Sequence, residues 1–333
     1  MATRHEVVIF SGWKQMASIT RLAPSPTGAL HLGNARTFVV NWLLARQRGW
    51  KILLRIEDID GPRVKRGMAQ QLIEDFKWLG LDWDEGPIYQ SRRLEQYKLA
   101  MDQLVTTGRA YACVCSRKEV ESAASAPHAE DGAAVYPGTC RDKFESLETA
   151  FLLTGRTPAI RFRVSDGQIE YTDCFAGPQE FDPQRQLGDF VIAKADRTPA
   201  YQLAVVVDDA DMGVTDVVRG NDLLDSTPRQ ILIYRALGRK DRIPRYYHLP
   251  LVVGPDGRRL AKRHGDTRLS YYRLNGVSPQ RVLALIARWS GIANAPAELS
   301  LADLLQWFDF ERMPREPIVF GRDDDSWLLS GNL

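Results

Sequence analysis

Arg21-Leu-Ala-Pro-Ser-Pro-Thr-Gly-Ala-Leu-His-Leu-Gly-Asn-Ala-Arg36 lies near the start of the chain, between a short apolar segment and a longer amphipathic one. The apolar segment, residues 18 to 22, has the length of a strand, and the prolines behind it stop any regular element. The amphipathic segment, residues 37 to 48, has the spacing of a helix. Glycines on both sides of His31 let the backbone approach a ligand closely, and a helix N-terminus suits a phosphate. The stretch therefore predicts a strand, a ligand-binding turn and a helix.

A second apolar run, Trp50-Lys-Ile-Leu-Leu-Arg-Ile-Glu57, has the length and continuity of a parallel strand that is buried on both faces. A strand, a helix and a second strand form a right-handed βαβ unit, which starts a doubly wound sheet. The sequence therefore predicts an α/β fold with a Rossmann-like parallel sheet. Glu57 lies at the carboxyl end of this strand, where open α/β sheets bind ligands.

The remaining pattern predicts further elements in chain order. Helices are expected at residues 67–80, 92–108, 228–238, 277–289 and 301–308, and strands at 159–164, 169–172, 190–193, 201–209, 216–219 and 246–253. The run from 201 to 209 is expected to return the chain to the main sheet as a strand. The polar stretch around Asp323-Asp-Asp325 is expected to be irregular.

Composition indicates a folded protein, since 44% of the 333 residues are apolar. No apolar stretch approaches the roughly 20 residues that span a bilayer, and the first residues lack the pattern of a signal peptide. We therefore expect a cytoplasmic protein without a membrane partner. Residues 229–268 contain eleven Lys or Arg and three Asp, although the net charge is only +2. Such a concentration suits ATP or RNA, the alternative being a pair of solvated loops.

The basic region contains a glycine-bounded loop, Gly257-Arg-Arg-Leu-Ala-Lys-Arg-His-Gly265. Alone it would indicate a solvated surface loop. Together with the His31 stretch, it resembles the class I aminoacyl-tRNA synthetases in their glutamyl form: residues 24–33 resemble the HIGH region and residues 259–263 the KMSKS loop. The resemblance covers roughly residues 18 to 275. It departs from the family pattern at Asn34, where the family can have His, and at Ala261, which replaces Ser.

The resemblance implies activation of L-glutamate by ATP, with Mg²⁺ accompanying the nucleotide. It implies catalytic roles for His31 and Lys262, which would stabilise charge on the reacting phosphates. The implied ATP-binding residues are His31, Gly33, Asn34, Leu260 and Lys262. The implied glutamate-binding residues are Arg21, Leu22, Ala23, Pro24, Ser25, Glu57, Tyr201 and Arg219. The residue types suit this substrate, because guanidinium groups bind carboxylates and Glu57 offers an acceptor to the ammonium group.

Three of the four cysteines indicate a metal site. Cys113 and Cys115 form a C-x-C pair and Cys140 follows about 25 residues later, which leaves a zinc tetrahedron one ligand short. Chemistry alone favours His128 as the fourth ligand, because imidazole is a much commoner zinc ligand than phenolate. The glutamyl-queuosine tRNA(Asp) synthetases, which this chain resembles here, have Tyr-x-x-x-Cys after the C-x-C pair. That resemblance implies Tyr136 and one structural Zn²⁺ per chain.

An alternative for these three residues is a set of buried free thiols. The fourth cysteine, Cys174, fits no ligand spacing and is expected in the core.

The expected organisation has five parts. Residues 1–17 form an N-terminal extension, 18–110 and 199–255 the two halves of the Rossmann catalytic domain, 111–198 a zinc-containing, acceptor-type insertion, and 256–333 the KMSKS-like loop with a short helical stem-contact region. Only about 60 residues follow Arg273, whereas a discriminating glutamyl-tRNA synthetase carries an anticodon-binding region of roughly 100 residues or more. The resemblance is therefore closest to the glutamyl-queuosine group.

That group implies that glutamate is activated without tRNA and transferred to queuosine at the wobble position of tRNA(Asp), whose anticodon stem-loop would be bound by a monomer. Three alternatives stay open. The chain could be a truncated glutamyl-tRNA synthetase that charges the 3′ end of a tRNA. It could be another HIGH-type nucleotidyltransferase or a non-catalytic RNA-binding paralogue.

Overall fold

The computed structural model describes residues 17–59, 61–123, 135–165, 167–260 and 264–330, apart from the side chain of Pro62. The chain begins with β1 (Ile19–Leu22), α1 (Leu32–Gln47), β2 (Lys51–Ile56), α2 (Met68–Trp78), β3 (Glu85–Tyr89) and α3 (Leu94–Thr106). The three strands are parallel and adjacent in the order β1-β2-β3. This confirms the predicted βαβ unit.

Helix α1 begins at Leu32, earlier than the predicted start near Thr37. His31 is the reason, because its ring Nδ1 accepts a hydrogen bond from the backbone N–H of Asn34 at 3.3 Å and so caps the helix. The helix thus starts within the quoted stretch itself.

The middle of the chain is an antiparallel region. It contains β4 (Ala110–Cys113), α4 (Arg117–Ala123), α5 (Leu147–Thr154), β5 (Ala159–Phe162), β6 (Ile169–Asp173), β7 (Gly177–Phe181), α6 (Pro183–Gln186) and β8 (Phe190–Ala193). Strands β4, β5 and β8 form one sheet, and β6 and β7 form a hairpin. The hairpin adjoins the main sheet, because the N–H of Cys174 donates to the carbonyl of Tyr246 at 2.8 Å. The predicted strands at 159–164, 169–172 and 190–193 are confirmed.

The chain then returns to the parallel sheet through α7 (Tyr201–Asp211), β9 (Asp216–Gly220), α8 (Ser226–Ala236), β10 (Arg245–Leu249) and β11 (Val252–Val253). Strands β9 and β10 are parallel partners. The N–H of Thr215 donates to the carbonyl of Ile19 at 2.9 Å, which places β9 beside β1. The strand predicted at 246–253 is interrupted, since Pro250 has no N–H to donate to a ladder.

The prediction of a strand at residues 201–209 was wrong, because this run forms helix α7. Its apolar residues Leu203 to Val207 are all buried to 1% exposure or less. A helix surrounded by the core on all sides needs no polar face, so its sequence has the same continuous apolar run as a buried strand.

The sheet has a core on each face, as a doubly wound fold requires. Ile52 and Leu54 of β2 belong to the core that contains α1, whereas Leu53 between them belongs to the core that contains α3 and α7. Successive strand residues point to opposite faces, so one strand supplies both cores. The predicted α/β fold is confirmed.

The C-terminal region contains α9 (Leu269–Leu274), α10 (Pro279–Trp289), α11 (Leu301–Trp307), β12 (Ile318–Val319) and α12 (Arg322–Ser330). The expectation of an irregular stretch around Asp323 was wrong. Residues 323–325 occupy the first turn of α12, where the helix dipole favours negative charge, and Trp327 and Leu328 anchor the helix in the core. Within the described ranges, no helix has both the length and the hydrophobicity of a bilayer span.

Candidate active site

A cavity of about 480 Å³ opens where β1, β2 and β9 end and α1 begins. Its lining includes ten of the residues that the sequence had assigned to substrate: Arg21, Ala23, Pro24, Ser25, His31, Gly33, Asn34, Glu57, Tyr201 and Arg219. These residues come from distant parts of the chain. The parallel strands bring them together because their carboxyl ends lie at the same edge of the sheet.

Two assigned residues do not line the cavity. The side chains of Leu22 and Leu260 are 0% and 6% exposed and belong to the hydrophobic core. Lys262 lies outside the described residues, as does the alternative zinc ligand His128.

Both flanks of the basic loop contact the His31 stretch. Arg259 lines the cavity on one side of the loop. On the other side, the N–H of Leu32 donates to the carbonyl of Thr267 at 2.9 Å, and the N–H of Leu269 donates to the carbonyl of Leu30 at 2.8 Å. The convergence of Lys262 and His31 on one phosphate group stays a prediction.

His31 is poised as a neutral hydrogen-bond donor. Burial, followed by the nearby charge of Arg259, lowers its pKa from 6.5 to about 4. Because Nδ1 accepts the N–H of Asn34, the single ring proton lies on Nε2. Gly33 makes room for this ring, since a Cβ at that position would lie 3.2 Å from two of the imidazole atoms. The turn therefore holds a neutral N–H donor beside a helix N-terminus.

Glu57, which lines the cavity, belongs to a buried cluster of opposite charges. The fully buried guanidinium of Arg55 lies 3.0 Å from Glu57 and 2.5 Å from Asp209, with Asp208 at 3.8 Å. Burial raises the pKa of Glu57, although Arg55 and Arg21 oppose the effect. Sequence reasoning found Glu57 but missed Arg55 and the two aspartates, because their meeting depends on where β2 and α7 pack.

Arg219, which also lines the cavity, has a different set of partners. It is 5% exposed. Its Nε donates to His248 at 2.9 Å, Nη1 donates to Gln230 at 3.0 Å, and Nη2 donates to Thr227 at 2.8 Å. Among the described residues, no carboxylate forms an ion pair with it. A buried guanidinium that faces a cavity with only neutral partners is suited to an anionic ligand group.

Two further charged residues of the cavity were not assigned from the sequence. Asp222 and Arg259 line the cavity and form an ion pair at 2.9 Å. Arg259 carried a signal, since it opens the KMSKS-like segment. Asp222 carried none, because an aspartate after a strand is common in turns.

The three clustered cysteines come together in the antiparallel region. The sulfur atoms of Cys113, Cys115 and Cys140 all lie within 4.8 Å of one another, and those of Cys115 and Cys140 are 3.4 Å apart. The phenol oxygen of Tyr136 lies 3.5 Å from the sulfur of Cys113 and 3.7 Å from that of Cys115. Zinc bonds of about 2.3 Å to sulfur and 2.0 Å to oxygen give tetrahedron edges of roughly 3.5–3.8 Å. The four groups therefore fit a zinc ion.

Arg161 on β5 supports this cluster and was missed from the sequence. Its Nε donates to the sulfur of Cys113 at 3.4 Å, and its guanidinium lies 3.7 Å from the ring centre of Tyr136. A cation at this place stabilises the thiolate form that a metal requires. The expectation that Cys174 lies in the core was wrong, since it is exposed. Strand alternation turns it outward from the buried Asp173 before it.

Comparisons with known proteins show the family of this chain. Residues 18–323 match the family model of the tRNA synthetases class I (E and Q), catalytic domain. A glutamyl-Q tRNA(Asp) synthetase of Symbiobacterium thermophilum is 51% identical over 93% of this chain and 98% of its own length. The chain belongs to the class I tRNA synthetases of the E and Q type, in their glutamyl-Q tRNA(Asp) synthetase group.

Other members of the synthetase family are also similar. A glutamate–tRNA ligase of a Synechococcus species is 42% identical over 95% of this chain and 66% of its own length. The crystal structure of a glutamate tRNA ligase from Elizabethkingia meningosepticum, in complex with its amino acid, has a TM-score of 0.78 at 27% identity. It is matched over 94% of this chain and 69% of that chain. The synthetase fold of this chain is thus shown by sequence and by structure.

Proposed function

We propose that this protein activates L-glutamate with ATP, without tRNA, and transfers the glutamyl group to queuosine at the wobble position of tRNA(Asp). The observation that carries the proposal is the 51% identity to a glutamyl-Q tRNA(Asp) synthetase along 98% of that relative. Arg219 lines the cavity and has no carboxylate partner among the described residues, which supports the choice of a dicarboxylic substrate. The cytoplasm, where ATP and tRNA meet, is the proposed location.

Glutamate would lie in the cavity between Arg219 and Glu57. Arg219 would bind its side-chain carboxylate, and Glu57 would accept a hydrogen bond from its ammonium group. Arg21 also lines the cavity, and its Nε is 3.4 Å from Asp209. The α-carboxylate is left free to attack the α-phosphate of ATP, forming glutamyl-adenylate and releasing pyrophosphate.

ATP would occupy the His31 side of the cavity. The Nε2–H group of His31 and the N-terminus of α1 would stabilise the negative charge that develops on the α-phosphate. Lys262 would add a mobile positive charge, and Mg²⁺ would accompany the nucleotide. Because Nδ1 of His31 accepts from Asn34, the neutral ring would offer its single N–H group, on Nε2, to the phosphate.

Zinc would be held by Cys113, Cys115, Cys140 and Tyr136, and it would fix the fold of the region from 111 to 198. The proposed zinc stoichiometry is one ion per chain. Tyr136→Phe is expected to weaken zinc binding, whereas His128→Ala is expected to leave it unchanged. Zinc affinity measured by competition with a chelator decides between the two ligands, and the reverse result would assign His128.

The acceptor RNA would meet the basic segment from 229 to 268. Two of its arginines, Arg239 and Arg245, are already paired with aspartates at 2.8 Å. Lys240, Arg242 and Arg258 are exposed and are the better candidates for phosphate contacts. Binding of tRNA(Asp) should therefore weaken with rising salt concentration.

The decisive experiment supplies labelled glutamate, ATP and tRNA(Asp) with or without queuosine, and then maps the label by nuclease digestion. Label in the anticodon loop, only in queuosine-containing tRNA, is the expected result. The 42% identity to a glutamate–tRNA ligase makes 3′-end charging the second candidate. Label on the 3′-terminal adenosine would establish that reaction and overturn the queuosine assignment.

A further inference from the structure

Behind Arg219 lie two buried polar residues that no step of the proposed reaction uses. Asp173 ends β6 in the β6–β7 hairpin, and His248 belongs to β10 of the main sheet. The Nδ1 atom of His248 is 2.6 Å from a carboxylate oxygen of Asp173, and its Nε2 atom is 2.9 Å from Nε of Arg219. Asp173, His248 and Arg219 are 2%, 1% and 5% exposed.

Chemistry fixes which group donates in each of the two hydrogen bonds that link Arg219, His248 and Asp173. A guanidinium N–H can only donate, so Nε2 of His248 must accept from Arg219. The ring proton therefore lies on Nδ1 and is donated to Asp173. Burial lowers the pKa of His248, although Asp173 opposes the effect, and the imidazole stays neutral.

Asp173 is itself held in one orientation. Its second oxygen accepts the backbone N–H groups of Phe175 at 2.9 Å, Ala176 at 2.7 Å and His248 at 3.1 Å. Burial alone would raise the pKa of Asp173, but the hydrogen bonds from His248 and from the backbone hold it below its usual value. A fixed carboxylate thus selects one tautomer of the ring.

We propose that Asp173 and His248 are positioning residues that aim the guanidinium of Arg219 at the glutamate side-chain carboxylate without neutralising it. A carboxylate in direct contact with Arg219 would hold the group equally well, but it would compete with the substrate. The neutral imidazole of His248 removes that competition, because it separates the negative charge of Asp173 from Arg219 by the width of the ring. Gln230 and Thr227 follow the same rule, since both accept from Arg219 without carrying a charge.

This inference rests on the proposed function, in which Arg219 binds the substrate side chain. A purely structural role for the pair predicts only a loss of stability on substitution. A positioning role predicts a specific loss of glutamate affinity, with ATP affinity and the maximal rate retained.

Two variants at one position separate these roles. In His248→Gln, the amide oxygen can take the place of Nε2 and still accept from Arg219. In His248→Asn, the shorter amide takes the place of Nδ1, so it can contact Asp173 but not Arg219. The test is glutamate-dependent exchange of pyrophosphate into ATP, with KM for glutamate, KM for ATP and kcat determined separately. Thermal unfolding of each variant is measured in parallel.

His248→Asn is expected to raise the KM for glutamate by about 10- to 100-fold, in the range that small misplacement of a positioning group produces. His248→Gln should stay within a few-fold of the parent chain. Asp173→Asn should resemble His248→Asn, because an amide can donate to Nδ1 and so reverse the tautomer. The ¹⁵N shifts of His248 should report a proton on Nδ1 in the parent chain and its loss in Asp173→Asn.

Equal glutamate KM values in the parent chain, His248→Asn and His248→Gln would overturn this inference while leaving the proposed function intact. A proton on Nε2 of the parent chain would also overturn it. By contrast, a parent chain without glutamate-dependent exchange would overturn the proposed function itself. The three results are distinguishable because the tautomer is read without substrate.

Discussion

Arg55 and Arg219 are two buried guanidinium groups, and their surroundings differ completely. Arg219 lines the cavity, whereas Arg55 is connected to it through its ion pair with the lining residue Glu57. Arg55 is enclosed by the carboxylates of Glu57, Asp208 and Asp209. Arg219 is hydrogen-bonded only to neutral groups among the described residues. The positive charge of Arg55 is therefore balanced within the protein. The partners of Arg219 are neutral, and in the proposed function the substrate carboxylate balances its charge.

The largest expected effect is on stability and concerns Arg55. Arg55→Met should lower the free energy of unfolding by about 3–5 kcal/mol, because it removes the cation that Glu57, Asp208 and Asp209 share. Among the described residues, only Arg93 would then remain beside Asp208, at 2.6 Å, and Arg21 beside Asp209, at 3.4 Å. Denaturant unfolding measures the change. Arg117→Met is the matched control: Arg117 is 94% exposed and pairs with Glu121 on the same helix, so its loss should have an effect of only about 0.5 kcal/mol. Similar losses in the two variants would contradict the cluster.

The next effect is on substrate binding. Arg219→Met should lower kcat/KM for glutamate by about 30- to 4,000-fold, which corresponds to the roughly 2–5 kcal/mol lost when one partner of a buried charge pair is removed. It should destabilise the fold less than Arg55→Met does. Pyrophosphate exchange at varied glutamate concentration measures the effect, with KM for ATP as the internal control. An unchanged KM for glutamate would remove Arg219 from the substrate site.

A smaller effect is expected at the cysteine cluster. Arg161→Met should weaken zinc binding by about 10- to 100-fold, as is typical when a group that supports a metal ligand is removed. Chelator competition followed by atomic absorption measures the bound metal. Arg163→Met is a suitable control, since Arg163 lies on the same segment but pairs with Asp142 instead of Cys113. Equal zinc affinity in Arg161→Met and the parent chain would separate Arg161 from the metal.

The smallest effect concerns protonation of His31. Its pKa should be about 4, so the neutral ring and its Nε2–H donor persist from pH 8 to pH 5. Below that range, Nδ1 takes up a proton and can no longer accept the N–H of Asn34. NMR titration measures the midpoint. Arg259→Gln should raise it only modestly, because burial is the larger cause of the shift. A midpoint near 6.5 in the parent chain would contradict the buried, neutral ring.

The parts of this molecule that the sequence predicted are those with a local cause. The turn around His31 depends on prolines, glycines and the start of one helix, and the buried strand β2 depends on one apolar run. The cluster of three cysteines was predicted because metal geometry restricts the spacing of such residues. In each case, the residues that decide the structure are close together in the chain.

The parts that escaped prediction depend on packing between distant segments. Helix α7 has the apolar run of a strand, and only its burial in the core distinguishes the two. Arg55 meets Asp208 and Asp209 only because α7 crosses β2. Likewise, neither Asp173 nor His248 carries a sequence signal, because the two meet only where the β6–β7 hairpin contacts the parallel sheet.

That contact has a consequence for any attempt to redesign the enzyme. The hairpin formed by β6 and β7 lies outside the parallel sheet that positions the cavity, yet it contributes Asp173 to the hydrogen-bonded groups behind Arg219. If Asp173 positions Arg219 as proposed, a chimera that receives a foreign hairpin without an aspartate at this place would keep every residue that lines the cavity and still bind glutamate poorly. A design that exchanges the hairpin must therefore keep the carboxylate of Asp173 if it is to keep selectivity for glutamate.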